Sequence, residues 1–157
     1  MDGPTYVVGS LVGLAFVGGA VIGSFLNVVI YRLPKMMELA WQQDYQQYFD
    51  QNAEQTKTRF NLALPHSHCP KCQHQLSALD NIPLLSWIVL KAKCRYCKAP
   101  ISVRYPAIEA FTALLSLLVA MHFGVTEQTL IYLVVTWCLI ALSFIDIDKM
   151  LLPDQIT

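Results

Sequence analysis

The chain has 157 residues, a length that suggests one domain, yet 55% of them are apolar and only 14% are charged, against about 25% charged in an average soluble domain. This balance excludes a disordered chain and a strongly charged nucleic-acid binder. The formal net charge of zero hides an uneven distribution: ten of the eleven Lys and Arg lie between Arg32 and Arg104 together with five acids, so ten minus five leaves that segment at +5 between two nearly uncharged apolar blocks.

The first block runs from Tyr6 to Tyr31 without a formal charge. It exceeds the roughly 20 apolar residues that cross a bilayer. A cleaved signal peptide wants a basic start and a shorter apolar core. Here the start carries Asp2 and the run is too long, so a retained transmembrane helix is predicted. Gly9-x-x-x-Gly13 and Gly19-x-x-x-Gly23 within it allow close helix contact, and Asn27 is read as interfacial. Residues 36 to 50 are predicted helical, because Met37, Trp41, Tyr45 and Tyr48 recur at spacings of four, four and three. That aromatic face is expected to lie on the membrane or to pack on the loop, with packing the preferred reading. Residues 52 to 58 form a polar connector. Ile82 to Leu90 is apolar but too short to span, and is placed within the loop's own core.

The second and third blocks, Ala107 to Phe123 and Thr129 to Ile145, hold one charge between them, Glu109. Each sits at the lower limit for a spanning helix, about 17 residues. A short turn at 124 to 128 joins them into a helical hairpin. Cytoplasmic flanks carry an excess of Lys and Arg. Arg32 and Lys35 follow the first span, five basic residues from Lys91 to Arg104 precede the second, and Lys149 follows the third. The N-terminus and the short turn have no basic residue. The expected topology is N-terminus outside, large loop inside, turn outside, end of the third span inside.

The expected fold class is therefore an all-α polytopic membrane protein. Residues 1–31 hold the first transmembrane helix and 32–106 a small cytoplasmic loop domain. Residues 107–157 hold the transmembrane hairpin.

Cys69-Pro-Lys-Cys72 and Cys94-Arg-Tyr-Cys97 are two C-x-x-C knuckles. Their separation, roughly 20 residues, matches a tetrahedral zinc site, and four soft thiolates suit Zn²⁺. A disulfide pairing is disfavoured in a cytoplasmic loop, and redox chemistry does not need two such motifs. A four-cysteine site without an open position is structural. His66, His68 and His74 crowd the first knuckle and are read as bystanders. Cys138, in the third span, reads as a small apolar residue, and His122 as interfacial.

The third span ends in Asp146, Asp148 and Asp154. An acid at the bilayer edge is a functional candidate, although helix ends also need charges to stop a span. Asp148, paired with Lys149, and Asp154, after Pro153, have that structural explanation. Asp146 lies closest to the apolar run and is expected to be the most desolvated. On a helix Asp146 and Asp148 stand about 200° apart, so they do not form one catalytic pair. A partner for Asp146 must come from elsewhere.

Several blocks in order resemble the bacterial type IV prepilin peptidases. They are Gly23-Ser-Phe-Leu-Asn-Val-Val-Ile-Tyr-Arg-Leu-Pro34, the two knuckles, Asn81-Ile-Pro83, Arg104-Tyr-Pro-x-x-Glu109 and Phe144-Ile-Asp-x-Asp-x-x-x-Leu-Pro-Asp154. The resemblance covers essentially the whole chain. It implies an inner-membrane aspartic endopeptidase that removes the basic leader from type IV prepilins and type II secretion pseudopilins. It also implies N-methylation of the new N-terminus, with S-adenosylmethionine as donor and no donor-binding residue assigned. Counting back along the family's Ile-Asp block from Asp154 assigns Asp146 as a catalytic residue, with Asp148 as fallback. The family's second catalytic Asp belongs to a Gly-x-Gly-Asp motif. After Gly23 this chain has only Gly124, so the motif is absent and the chain is read as the N-terminal part of a longer enzyme. Expected partners are prepilins or pseudopilins and membrane lipid, without nucleic acid. The competing expectation is a membrane-tethered zinc module that binds a protein and does no chemistry.

Overall fold

The computed structural model describes residues 3–49, 61–64, 66–150 and 153, with side-chain packing from Val12 onward. Four α-helices and one short 3₁₀ turn make up the described chain: α1 (Gly3–Phe49), the 3₁₀ turn (Ala78–Asn81), α2 (Leu85–Val89), α3 (Arg104–Phe123) and α4 (Glu127–Lys149). Helices α1, α3 and α4 are long and apolar enough to cross a membrane, as the sequence predicts. The 20 residues of α3 extend about 30 Å, the thickness of a hydrocarbon core.

Helix α1 joins two segments expected to be separate. The apolar block and residues 36 to 49 form one helix of 47 residues, with Pro34 inside it. At 1.5 Å per residue this is about 70 Å, more than twice the bilayer core, so its polar C-terminal part stands beyond the span. Pro34 is fully buried.

The core lies where α1 crosses the hairpin. Leu26 and Ile30 of α1 meet Ile108 of α3 and Ile140, Ala141 and Ile145 of α4, with Ile22, Leu33, Leu115, Trp137 and Phe144 packed around them. Polar groups inside the bundle are paired locally. Thr112 Oγ1 donates to the Ile108 carbonyl at 2.8 Å, and Trp137 Nε1 donates to Ser116 Oγ at 2.9 Å. The outward faces remain apolar and exposed, as at Leu14, Val17, Leu118, Ile131 and Leu139. Such faces suit lipid.

Of the two glycine pairs, Gly19 and Gly23 make the close crossing. A Cβ on Gly23 would stand 2.7 Å from the Glu109 Cα, and one on Gly19 would stand 2.8 Å from the Ala113 Cα. Both obstacles are backbone atoms, so α3 must move away. Gly13 and Gly18 face open space, and the packing of Gly9 lies outside the described residues. Gly23→Ala is expected to destabilise the bundle by about 1–3 kcal/mol, the usual penalty of overpacking. Gly18→Ala should leave it unchanged. Thermal unfolding in detergent compares the two.

Two packing expectations fail. Trp41, Tyr45 and Tyr48 are 50%, 66% and 82% exposed, so the aromatic face of α1 is not covered by the described part of the loop. The described loop meets the bundle at Arg32, through Asn61 and Leu62, and at Glu109, through Leu84, rather than at these aromatic residues. Nor is Ile82 to Leu90 a core. Helix α2 has no buried residue, because the loop is organised around its cysteines instead.

Candidate metal centre and carboxylate cluster

The two knuckles are built alike, with Cys94 repeating the role of Cys69. Cys69 N donates to the His74 carbonyl at 2.9 Å and Cys94 N to the Ala99 carbonyl at 2.8 Å. Gln73 N and Lys98 N close the turns onto the Cys69 and Cys94 carbonyls at 2.9 and 3.1 Å. Each turn ends in a left-handed residue, Gln73 (φ 57°) and Lys98 (φ 57°). One β-bridge braces each knuckle, His68 with Gln75 and Lys93 with Pro100.

These turns bring the sulfurs of Cys69, Cys72, Cys94 and Cys97 within 4.8 Å of one another. The Cys69 and Cys97 sulfurs are 3.7 Å apart. A tetrahedron with zinc–sulfur bonds of about 2.3 Å has edges of about 3.8 Å, so the donor set and spacing fit such a metal ion. Cys69 and Cys94 are buried while Cys72 and Cys97 are exposed. Backbone N–H groups of Cys72 and Lys71 aim at the Cys69 sulfur and lower its pKa to about 6. The His74 amide pulls Cys72 down too, but desolvation and the sulfurs of Cys69, Cys97 and Cys94 outweigh it and push that thiol up to about 11. Four adjacent thiolates repel, and a divalent cation at their centre relieves the repulsion.

Neither His68 nor His74 joins the cluster. His68 Nδ1 contacts the His66 carbonyl at 3.0 Å, and the His74 ring lies over Tyr96 with centroids 3.6 Å apart.

Asp80 ties the 3₁₀ turn to the second knuckle, a role that sequence reasoning missed. Its carboxylate accepts Arg95 Nε at 2.8 Å and Ser77 Oγ at 2.8 Å, and its side chain is 2% exposed. Arg95 sits inside the second knuckle, while Ser77 and Asp80 form a capping box on the 3₁₀ turn. The Ser-x-x-Asp spacing was the legible signal. Burial alone would raise the Asp80 pKa, but the bonds from Ser77 and Arg95 and the Arg95 charge hold it below the usual carboxylate range. A depressed folded-state pKa contributes stability that is fully present above the unfolded value of about 3.9. That contribution is lost as pH falls through the folded-state value. Asp80→Asn should therefore lower the melting temperature of the module at neutral pH. The gap from wild type should narrow in acid below about pH 4, read by circular dichroism.

Two further contacts tie the loop to the bundle. Buried Arg32 donates from its guanidinium to the Asn61 and Leu62 carbonyls at 3.1 and 3.3 Å. Buried Glu109 accepts the Leu84 N–H at 2.8 Å. Glu109 stands out in the sequence as the single charge of the second block and as the last residue of the Arg104-Tyr-Pro-x-x-Glu109 block.

The acids at the end of α4 diverge. Ile145 is wholly buried against the bundle; from it Asp146 turns about 100° one way and Asp148 about 60° the other. Asp148 forms an ion pair with Arg104 of α3. Lys149 pairs with Glu38 of α1 at 2.9 Å, not with Asp148 as expected, because neighbouring helix residues do not face each other. These two bridges gather the start of α3 and the end of α4 beside Glu38, within α1. Asp146 is exposed, with no hydrogen-bond or ion-pair partner for its carboxylate among the described residues. It is thus less covered than expected, and it faces a flank of α4 that neither α1 nor α3 occupies. Asp154 lies outside the described residues, and Pro153 is buried.

With the four-cysteine module inserted between two of its spanning helices, the molecule is a polytopic helical membrane protein whose loop could hold a metal ion. Residues 17–123 match the Bacterial Peptidase A24 N-terminal domain, and the chain belongs to that family. It is 55% identical over 146 residues to a prepilin leader peptidase/N-methyltransferase of Aeromonas salmonicida, covering 92% of this chain and 50% of the relative. Proteins of the same description from Pseudomonas aeruginosa and Dichelobacter nodosus are 49% and 48% identical, over 87% and 92% of this chain and 47% and 53% of theirs. The chain spans about half the length of the curated relatives it matches. No solved structure matches it.

Proposed function

We propose that this chain supplies the metal module and the first catalytic carboxylate of a membrane aspartic endopeptidase. That enzyme removes the leader from type IV prepilins or pseudopilins and methylates the new N-terminus. The observation that carries the reading is the contrast between Asp148, held by Arg104, and Asp146, which has no partner among the described residues. A carboxylate left free at the end of a spanning helix is available to a second one. In an aspartic peptidase the two share a proton; one activates water and the other protonates the leaving amine. The second carboxylate would come from outside this chain. Alanine at Asp146 in the full-length protein is the test against a binding module without chemistry. The binding module tolerates it, whereas the peptidase loses cleavage.

Cys69, Cys72, Cys94 and Cys97 would hold Zn²⁺ as a structural ion. S-adenosylmethionine is the methyl donor the family resemblance implies. A groove along Glu38, Trp41, Gln42, Tyr45 and Gln46 lies open on one helix and does not enclose a nucleoside.

The proposed location is the bacterial inner membrane, with the N-terminus periplasmic. The first span ends near Tyr31, the loop of residues 32–106 is cytoplasmic, and residues 107–157 form the returning hairpin. A reporter fused within 52–58 is expected to read cytoplasm, and one fused after Thr126 the periplasm. The opposite result at either point refutes this orientation.

A further inference from the structure

Helix α2 turns its apolar side outward. Leu85, Ile88 and Val89 share one face, by the i, i+3, i+4 spacing, and are 59%, 62% and 73% exposed. The other side is occupied: Trp87 is half-buried, and its Nε1 donates to the Ile101 carbonyl at 3.4 Å.

The height of α2 relative to the spans follows from its tethers. Asn27 Nδ2 donates to the Tyr105 carbonyl at 3.1 Å, so residue 27 of α1 is level with the start of α3. Tyr31 and Tyr105, both exposed, flank this level, and tyrosines mark the membrane–water boundary. Glu109 lies one turn further into α3 than Tyr105. Its carboxylate reaches back to Leu84 N, the residue immediately before α2. The start of α2 is thereby fixed within the first turns of a spanning helix. Lys91 and Lys93, both exposed, follow directly after its C-terminal end.

We infer that the Leu85–Ile88–Val89 face of α2 lies in the headgroup–acyl boundary of an anionic phospholipid bilayer, with Lys91 and Lys93 on the phosphates. An apolar face flanked by lysines at this depth has the pattern of an interfacial segment. Glu109 is the positioning residue that holds it there. The inference rests on α3 being a membrane span, and the experiment separates the two.

The intact protein, carrying a benzophenone amino acid at one position, is reconstituted into vesicles of phosphatidylethanolamine and phosphatidylglycerol and irradiated. Position 118, on the exposed side of α3, reports whether α3 spans; position 75, on the first knuckle, is the aqueous control. Lipid adducts at 89 and 118, and none at 75, are expected. Lys91→Gln with Lys93→Gln should reduce the adduct at 89 and leave that at 118 unchanged. Failure at 118 refutes the span itself. With 118 labelled, an adduct at 89 on protein, whether this chain or another, or no adduct there, overturns the inference.

Discussion

Replacing Asp146 with asparagine in the full-length protein is expected to abolish leader cleavage and leave the bundle folded. Asparagine keeps the size and hydrogen-bonding capacity of the side chain but does not exchange a proton. General acid–base groups contribute about 10²–10⁴-fold to a rate, and a two-carboxylate mechanism stops when either member is lost, so a fall of that order or larger is expected. Folding should survive because Asp146 is exposed and its side chain holds no other residue in place among the described residues. Asp148→Asn should behave differently. It removes the charge that pairs with Arg104, loosens the end of α4 against α3, and should cost stability before chemistry. Methylation needs a nucleophilic amine and a methyl donor, not this carboxylate, so Asp146→Asn should still methylate a precleaved pilin. Assays of cleavage and methylation on separate substrates, with thermal unfolding of each variant, distinguish these effects. Near-normal cleavage by Asp146→Asn would remove the assignment.

The spans and the convergence of the four cysteines were legible because each rests on a one-dimensional signal. A run of uncharged residues long enough to cross a bilayer needs no tertiary information. Two C-x-x-C motifs specify their own turns, and the turn at Cys69 recurs at Cys94 with matching hydrogen bonds. Contacts between segments were not legible. Lys149 sits beside Asp148 in sequence but pairs with Glu38, 111 positions away. Asp80 gave no sign that it would meet Arg95 across the module. The apolar run at 82–90 reads as a core segment in sequence, yet α2 has no fully buried residue, because hydrophobicity alone does not say which solvent an apolar face meets. In a membrane protein both solvents for apolar side chains are present, and only the position of the tethers tells them apart.

Cys72→Ser, or removal of metal by a chelator, is expected to unfold the loop while leaving the three spanning helices intact. Few other interactions hold the described module together: besides its turns it has two isolated β-bridges, the Asp80 bonds, the Trp87–Ile101 hydrogen bond, the His74–Tyr96 ring contact, and contacts to the bundle through Arg32 and Glu109. Helix α2 has no fully buried residue. Binding of structural zinc by small cysteine sites is worth about 10–16 kcal/mol in apparent free energy, larger than any of these contacts, so the metal should decide whether the module folds. Cys72 is the informative position because it is exposed. Serine there disturbs little packing, and its effect reports the lost thiolate. Cys138→Ser, in α4 and away from the cluster, is the matched control. Metal analysis should give one Zn²⁺ per chain for wild type and for Cys138→Ser, and a large loss for Cys72→Ser. Limited proteolysis should then cut Cys72→Ser within 66–102 and spare α3 and α4. A wild-type protein without zinc, or Cys72→Ser that keeps full zinc and a resistant loop, would show that the four cysteines do not hold the module through a shared metal ion.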